Sequence, residues 1–122
     1  GCSKLSADLY MQDYARHYGL KIGIFRLSCV YGPRQFGIED QGWLSWFAIA
    51  THTAKPISLY GNGKQVRDVL FISDLLEAFD AFVRADISHE VFNLGGGVEN
   101  TVSLLEALEL IRKLTGKKSD LS

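Results

Sequence analysis

Hydrophobic and polar positions follow two different periods in the first part of the chain. Residues 4–18 carry apolar side chains at helical spacing, which predicts a helix that Gly19 ends as a C-terminal cap. Residues 21–27 form a short run rich in Ile and Phe and predict a strand. Residues 30–40 contain proline and glycine and predict a loop.

The middle of the chain predicts one helix and two short strands. Helical periodicity over residues 41–53 ends before Pro56, whose ring cannot continue a helix. The two strands cover residues 57–60 and 66–72, with a Gly-Asn-Gly turn between them.

Two capping boxes are predicted to begin the last two helices. Asp74 with Glu77 begins a helix that reaches about residue 85, and Ser103 with Glu106 begins one that runs to Gly116. Between them, residues 91–94 predict a strand, and the three glycines after it predict a tight turn.

The alternation of helices and strands predicts an α/β protein. The strand at 21–27 has one clear partner, near residue 91, and so small a parallel sheet is not a stable domain. We therefore expect further strands upstream, in a longer protein of which this chain is a piece.

Composition excludes several kinds of partner. The 122 residues carry a net charge of -1, which gives no electrostatic argument for nucleic acid or an acidic membrane. The densest apolar run, residues 43–50, is far shorter than the ~20 residues that a membrane span needs. The three histidines lack metal-ligand spacing, so no metal site is expected. Cys2 and Cys29 suit a reducing, cytoplasmic compartment.

Three basic residues are candidates for chemistry, each with a simpler alternative. Lys4 lies in a first helical turn, where cations are disfavoured, yet solvation alone would explain it. Arg26 either packs its stem and reaches solvent or a carboxylate with its head group, or anchors a loop over a ligand. Arg67 follows a glycine-rich loop and suits bidentate phosphate binding, or else pairs with Asp68 or Glu39 at the surface.

Five segments, in this order, resemble the extended short-chain dehydrogenase/reductases that act on nucleotide sugars. These segments are residues 1–4, 25–34, 61–69, 73–74 and 92–96. Within this family, residues 40–43 with the following Trp46-Phe47, and residues 61–70, look most like the CDP-paratose (tyvelose) 2-epimerases. Cys29 stands where the dehydratases and 4-epimerases usually carry Asn, and the 2-epimerase branch has a small residue there.

The resemblance implies a Rossmann-like doubly wound sheet with a small α/β substrate-binding lobe. Residues 1–32 would be the last helix and strand of the NAD-binding domain, and residues 33–122 mostly the nucleotide-sugar lobe, interleaved with the sheet. It also implies that Lys4 is the lysine of a catalytic Tyr-x-x-x-Lys pair whose tyrosine would precede Gly1. Lys4 would bind the cofactor, NAD, and lower the pKa of the tyrosine, and Leu27 and Ser28 would face the nicotinamide.

The resemblance implies that the substrate is a nucleotide-diphospho-sugar, with a CDP-hexose favoured. It also implies which residues contact this substrate. These residues are Cys29, Gln41, Gly42, Tyr60, Arg67 and Asn93. The implied reaction is C2 epimerisation with transient oxidation. A UDP- or dTDP-sugar 4-epimerase or 4,6-dehydratase, and a non-catalytic nucleotide-sugar-binding module, are alternatives. We expect this chain to be inactive by itself, because the tyrosine and the glycine-rich pyrophosphate loop that the resemblance implies are missing from it. We also expect it to form homo-oligomers or to aggregate, because the strand at 21–27 would expose an apolar face and an unpaired edge.

Overall fold

The computed structural model describes residues 1–121, which form four α-helices, one short 3₁₀ helix (Val98–Asn100) and seven strands and confirm the predicted α/β class. The helices are α1 (Cys2–Tyr18), α2 (Trp43–Thr53), α3 (Ile72–Arg84) and α4 (Leu104–Thr115). The strands are β1 (Ile22–Leu27), β2 (Cys29–Tyr31), β3 (Pro56–Ile57), β4 (Val66–Phe71), β5 (His89–Leu94), β6 (Thr101–Ser103) and β7 (Asp120–Leu121). Within this part of the chain, no helix is long and apolar enough to cross a membrane.

The chain divides into two compact units, and the first contains residues 1–27 and 73–94. Its strands β1 and β5 pair in parallel from Ile22 opposite His89 to Leu27 opposite Leu94, which confirms the predicted partnership. An aromatic cluster joins this strand pair to α3, because the ring of Phe25 contacts three other phenylalanine rings. These rings are Phe79, Phe82 and Phe92, with centroids 4.8, 6.0 and 5.0 Å from that of Phe25.

Lys21, just before β1, closes the C-terminal end of α3. Its Nζ donates to the carbonyl oxygens of Val83 at 2.8 Å and Ala85 at 2.6 Å. The last carbonyls of a helix lack partners within the helix, so the ammonium satisfies two polar groups that would otherwise need water. The contact fixes the end of α3 to the start of β1.

The second unit contains residues 28–72 and 95–121 and is built around α2 and α4. In its largest sheet, β4 pairs in parallel with β2 and antiparallel with β6, while β3 and β7 form a separate parallel pair. The buried core of this unit consists of Phe47, Ala50, Ile57, Leu108 and Ile111.

One of the two predicted capping boxes is confirmed and the other is wrong. Ser103 accepts a hydrogen bond from the backbone N–H of Glu106, and Glu106 accepts one from Ser103 in return. α3 instead begins at Ile72, so Asp74 lies inside the first turn, where it interacts favourably with the helix dipole and accepts a hydrogen bond from Ser73.

Some short strands differ from the sequence prediction. The first two residues of the predicted loop belong to β2, and the strand predicted over 57–60 is only the two-residue β3. The strands β6 and β7 were not predicted. These strands have two or three residues, and so few positions cannot display a period of two. Their pairing with β4 or β7 gives them their extended conformation.

The three glycines after β5 are needed mainly because other parts of the chain pass close to them, and less because of a tight turn. Of these three glycines, only Gly97 has a positive φ, of 84°. A Cβ on Gly95 would overlap the carboxylate of Asp68, and one on Gly96 would overlap the carbonyl oxygen of Val69. The N–H of Gly96 donates to Asp68 Oδ1 at 2.7 Å, so this loop is held against β4.

Substitution of Gly96 by Ala should therefore destabilise the protein, because the added methyl group meets a backbone oxygen that cannot rotate away. We expect a loss of about 1–3 kcal/mol, typical of overpacking, measured by urea denaturation. Gly1→Ala is the matched control, since a Cβ there would have no heavy atom within 4 Å. Equal denaturation midpoints for the two variants would contradict the close-approach explanation.

Candidate functional site

Lys4 lies in the first turn of α1 with its side chain exposed. Within residues 1–121 it has no hydrogen-bond or ion-pair partner. One helical turn later, roughly 6 Å along the axis, lies the buried carboxylate of Asp8. The structure thus leaves the ammonium group of Lys4 available to a ligand.

The structure supports the simpler interpretation of Arg26, because its guanidinium reaches a carboxylate. Its Nε donates to Asp8 Oδ2 at 2.8 Å and its Nη2 to Asp8 Oδ1 at 3.3 Å. Gln12 Nε2 donates to Asp8 Oδ1 at 2.6 Å. The network connects α1 to β1 inside the first unit.

Each group of the Asp8–Arg26 pair stabilises the charged form of the other. The hydrogen bonds from Arg26 and then Gln12 hold the pKa of Asp8 below its ordinary value of 3.8, against the opposing effect of desolvation. The hydrogen bond to Asp8 in turn raises the pKa of Arg26. Both groups are therefore charged at neutral pH.

Leu27 and Asn93 come to the same edge of the first unit's sheet. Asn93 pairs with Arg26 and Leu94 pairs with Leu27 in the parallel register, so β1 and β5 end together. The carboxyl ends of parallel strands are where ligands of open α/β sheets bind. The structure thus brings together one predicted cofactor residue and one predicted substrate residue.

Cys29 and Gly42 line a shared cavity of about 220 Å³ in the second unit. Gln35 forms part of its wall and is held in place, because its Nε2 donates to the carbonyl oxygen of Val30 at 3.1 Å and its Oε1 accepts from Ser45. Trp43, which sequence reasoning did not select, also lines this cavity.

Two buried polar atoms have no hydrogen-bond partner within the described residues: the indole Nε1 of Trp43 and Ser28 Oγ. Buried donors are normally paired, so each is a candidate for a bond to a ligand or to water. Trp43 could not have been chosen from sequence, because a tryptophan on an apolar helical face is ordinarily core. Its ring does pack edge-on against Phe47, with centroids 5.5 Å apart.

Gln41 lies next to this cavity in a tight turn. Its backbone N–H and carbonyl both bond to Ile38, at 3.0 and 2.8 Å. Gly42 follows with φ 73°, a left-handed conformation that glycine adopts without strain, and α2 begins directly after it. The side chain of Gln41 is exposed, so the turn presents it to solvent.

Tyr60 and Arg67 flank the glycine-rich loop of the second unit. Tyr60 is 78% exposed, and its carbonyl oxygen accepts from Gln65 Nε2 at 3.1 Å. Arg67 is exposed on β4 and donates only to the carbonyl oxygen of Val66, at 3.0 Å. No carboxylate pairs with Arg67 in the described part of the chain, so both predicted surface pairings are wrong and its charge is free for a ligand.

Another cavity of the second unit, about 670 Å³, is mainly apolar, and none of the predicted binding residues lines it. Its wall includes Tyr31, Leu44, Phe71, Leu110 and Leu114. Among residues 1–121, no group of three or more His, Cys, Asp or Glu side chains could hold a metal ion.

Comparison with known proteins gives a consistent result. The profile of the NAD dependent epimerase/dehydratase family matches residues 1–95. CDP-paratose 2-epimerase from Salmonella typhi is 47% identical over 118 residues, covering 91% of this chain. UDP-glucuronate 4-epimerase from Thermodesulfobacterium geofontis is 33% identical and covers 96% of this chain. This chain spans 35% of the length of each of these relatives.

Solved structures share the fold. Thermus thermophilus UDP-glucose 4-epimerase, in complex with NAD, superimposes with a TM-score of 0.85 at 27% identity. The match covers 99% of this chain and 39% of that enzyme. The resemblance and the Rossmann-like α/β class are therefore both confirmed.

Stability should depend on pH through the ion pair of Asp8 and Arg26. Because the folded pKa of Asp8 is lowered, the pair stabilises the fold above the ordinary value of 3.8, and this contribution is lost as pH falls through the folded pKa. Asp8→Asn should thus lower the melting temperature at about pH 7. The difference in melting temperature from the wild type should shrink as the pH falls below 3.8 and the carboxylate of the folded wild type becomes protonated.

Asp13→Asn provides the control, since Asp13 forms only an exposed pair with His17. Its melting temperature should stay close to the wild-type value at neutral pH. A deficit for Asp8→Asn that stays constant down to the acid limit would show that the carboxylate's charge does not stabilise the fold.

Proposed function

Because the chain belongs to the NAD dependent epimerase/dehydratase family, we propose that the whole protein is an NAD-dependent nucleotide-sugar epimerase that inverts C2 of a CDP-hexose. The observation that carries this proposal is the 47% identity to CDP-paratose 2-epimerase over nearly the whole chain. Cys29 supports it, since the resemblance associates a small residue there with the 2-epimerase branch. A cytoplasmic location and a homo-oligomeric state belong to the same proposal.

Two observations are compatible with NAD as the cofactor. The ammonium of Lys4 has no partner within the described residues, and Ser28 Oγ is a buried donor without an acceptor. The ribose hydroxyls and the carboxamide of a nicotinamide nucleotide offer matching oxygen atoms. When bound, NAD would supply the chemistry of taking the hydride from C2 and returning it to the other face of the sugar.

The residues of this chain would bind and orient. Lys4 would hold the nicotinamide ribose, and its positive charge would favour the ionised form of a tyrosine one helical turn before it. That tyrosine, as the base, would hold the proton of the sugar hydroxyl at its phenolic oxygen. The backbone of Leu27 and Ser28 would face the nicotinamide. In this proposal residues 1–32 serve the cofactor and residues 33–122 mostly serve the substrate.

The substrate contacts would come from six residues with different tasks. Arg67 would bind the diphosphate and Asn93 the ribose or diphosphate, Tyr60 would pack near the base, and Gln41 and Gly42 would border the nucleotide. Cys29 would face the sugar or its diphosphate from the cavity that it lines. We add Trp43 to this set, because it lines the same cavity and its indole N–H has no partner within the described residues.

The alternative within the family is a 4-epimerase or 4,6-dehydratase acting on a UDP- or dTDP-sugar. The UDP-glucuronate 4-epimerase at 33% identity keeps that alternative open. A non-catalytic nucleotide-sugar-binding module is the alternative outside enzyme chemistry, and it predicts binding of the sugar nucleotide without turnover.

Incubation of the whole protein with CDP-paratose in deuterated water tests the reaction. We expect the C2 epimer to form without deuterium at C2, because the same hydrogen leaves and returns as hydride. Conversion of UDP-glucose or UDP-glucuronate at C4, with no change in CDP-paratose, would instead favour the 4-epimerase. Binding without conversion of any of these sugars would favour the non-catalytic module.

The 122-residue chain by itself should show no turnover. Neither the tyrosine nor the glycine-rich pyrophosphate loop that the resemblance implies is among its residues. Loss of an acid–base group alone typically costs about 10²–10⁴-fold in rate. A mixture of the chain with NAD and CDP-paratose, followed by chromatography of the sugar nucleotides, should give no product. Sustained multiple turnover would contradict the proposed role of the tyrosine.

Arg67→Ala in the whole protein should weaken CDP-sugar binding by about ten- to a hundredfold, because hydrogen bonds to charged groups contribute about 1.5–3 kcal/mol. Arg67→Lys should recover only part of the loss, since an ammonium lacks the planar fork of arginine. Calorimetry should show almost unchanged NAD affinity. Lys64→Ala, an exposed cation of the same loop, is the control. Unchanged CDP-sugar affinity with weakened NAD affinity would make Arg67 a cofactor residue.

A further inference from the structure

Lys4 and Asp8 lie four residues apart on α1, where a lysine and a carboxylate normally attract each other across one helical turn. They form no ion pair in the structure. Asp8 binds Arg26 and Gln12 instead, and Lys4 has no partner within residues 1–121. The question is therefore why Lys4 and Asp8 do not form an ion pair although their i,i+4 spacing would allow one.

The structure offers a cause: both oxygens of Asp8 already accept hydrogen bonds, and Arg26 supplies the opposite charge. Oδ2 accepts from Arg26 Nε, while Oδ1 accepts from Gln12 Nε2 and, at longer range, from Arg26 Nη2. Gln12 is the neighbour of Asp8 four residues on, and Lys4 is the neighbour four residues before. Arg26 stays charged at any pH that the protein tolerates, so it neutralises the carboxylate permanently.

We propose that Arg26 is a positioning residue for the cofactor: by binding Asp8, it prevents that carboxylate from capturing Lys4 and so keeps the ammonium available. This inference rests on the proposed function, in which Lys4 binds the nicotinamide ribose. Without Arg26, the buried carboxylate would retain only Gln12, and Lys4 would be the nearest cation on the same helical face. The ammonium group of Lys4 would then move towards Asp8 and away from the ligand.

A purely structural role for the pair makes a different prediction. If Arg26 and Asp8 only fasten α1 to β1, removing both groups should harm cofactor binding at least as much as removing Arg26 alone. If Asp8 captures Lys4, removing the carboxylate as well should release the lysine. The double variant therefore separates the two roles.

The experiment measures NAD affinity of the whole protein by calorimetry for Arg26→Met, Asp8→Asn and the two combined. We expect Arg26→Met to weaken NAD binding roughly tenfold or more, the effect of losing one charged hydrogen bond. The double variant should recover to within about threefold of the wild type. Arg26→Lys should retain most of the affinity, since it keeps a cation beside Asp8.

Arg84→Met is the matched control, because Arg84 forms an exposed ion pair with Asp80 in the same unit. It should leave NAD affinity unchanged. A double variant that is folded yet binds NAD no better than Arg26→Met would overturn the inference. If Arg26→Met does not fold, Arg26→Gln replaces it: this variant keeps a donor to Asp8 but no charge, and it should weaken NAD binding in the same direction.

A second measurement separates failure of this inference from failure of the proposed function. Lys4→Met with unchanged NAD affinity would refute the role of Lys4 as a cofactor residue. Capture of Lys4 can still be tested by a double-mutant cycle on thermal unfolding, with Lys4→Met and Asp8→Asn. We expect the two changes to be additive when Arg26 is present and non-additive in the Arg26→Met background. Additivity in both backgrounds would overturn the inference regardless of cofactor binding.

Discussion

The parallel pairing of β1 with β5 is the constraint on which the organisation of the chain depends. These strands are distant in sequence, and their register brings Leu27 opposite Leu94 at a common edge. Parallel strands cannot be joined by a short hairpin, so a long crossover connection must link β1 to β5. That connection contains residues 28–72, which belong to the second unit, and then α3, most of which belongs to the first. The two units are therefore interleaved in sequence.

The cations of the chain differ in whether a carboxylate pairs with them. Arg26 is neutralised by Asp8 in a partly buried ion pair, whereas Arg67 and Lys4 have no acidic partner in the described chain. A net charge of -1 means that the surface as a whole attracts no anion, so phosphate recognition would depend on individual cations that remain unpaired. This distribution suits a small anionic ligand better than a polyanion.

Backbone contacts explain residues whose spacing alone is uninformative. Gly95 and Gly96 are required because Asp68 and Val69 lie against them, and Asp68 accepts the N–H of Gly96. Asp68 follows Arg67 on β4, and successive side chains of a strand point to opposite faces. The arginine therefore has no ion-pair partner in the described chain, although an acidic residue follows it in sequence.

The sequence by itself determined the elements that contain a full period of their pattern. It predicted the four helices to within a few residues, the strands β1, β4 and β5, the cap at Gly19 and the Ser103–Glu106 capping box, because these depend on neighbours within about one helical turn. Only the tertiary structure decided which charges are paired. The partner of Arg26 is on another element, and the donor of Trp43 is notable only because its surroundings offer no acceptor. Pairing across the fold depends on distances that no local pattern encodes.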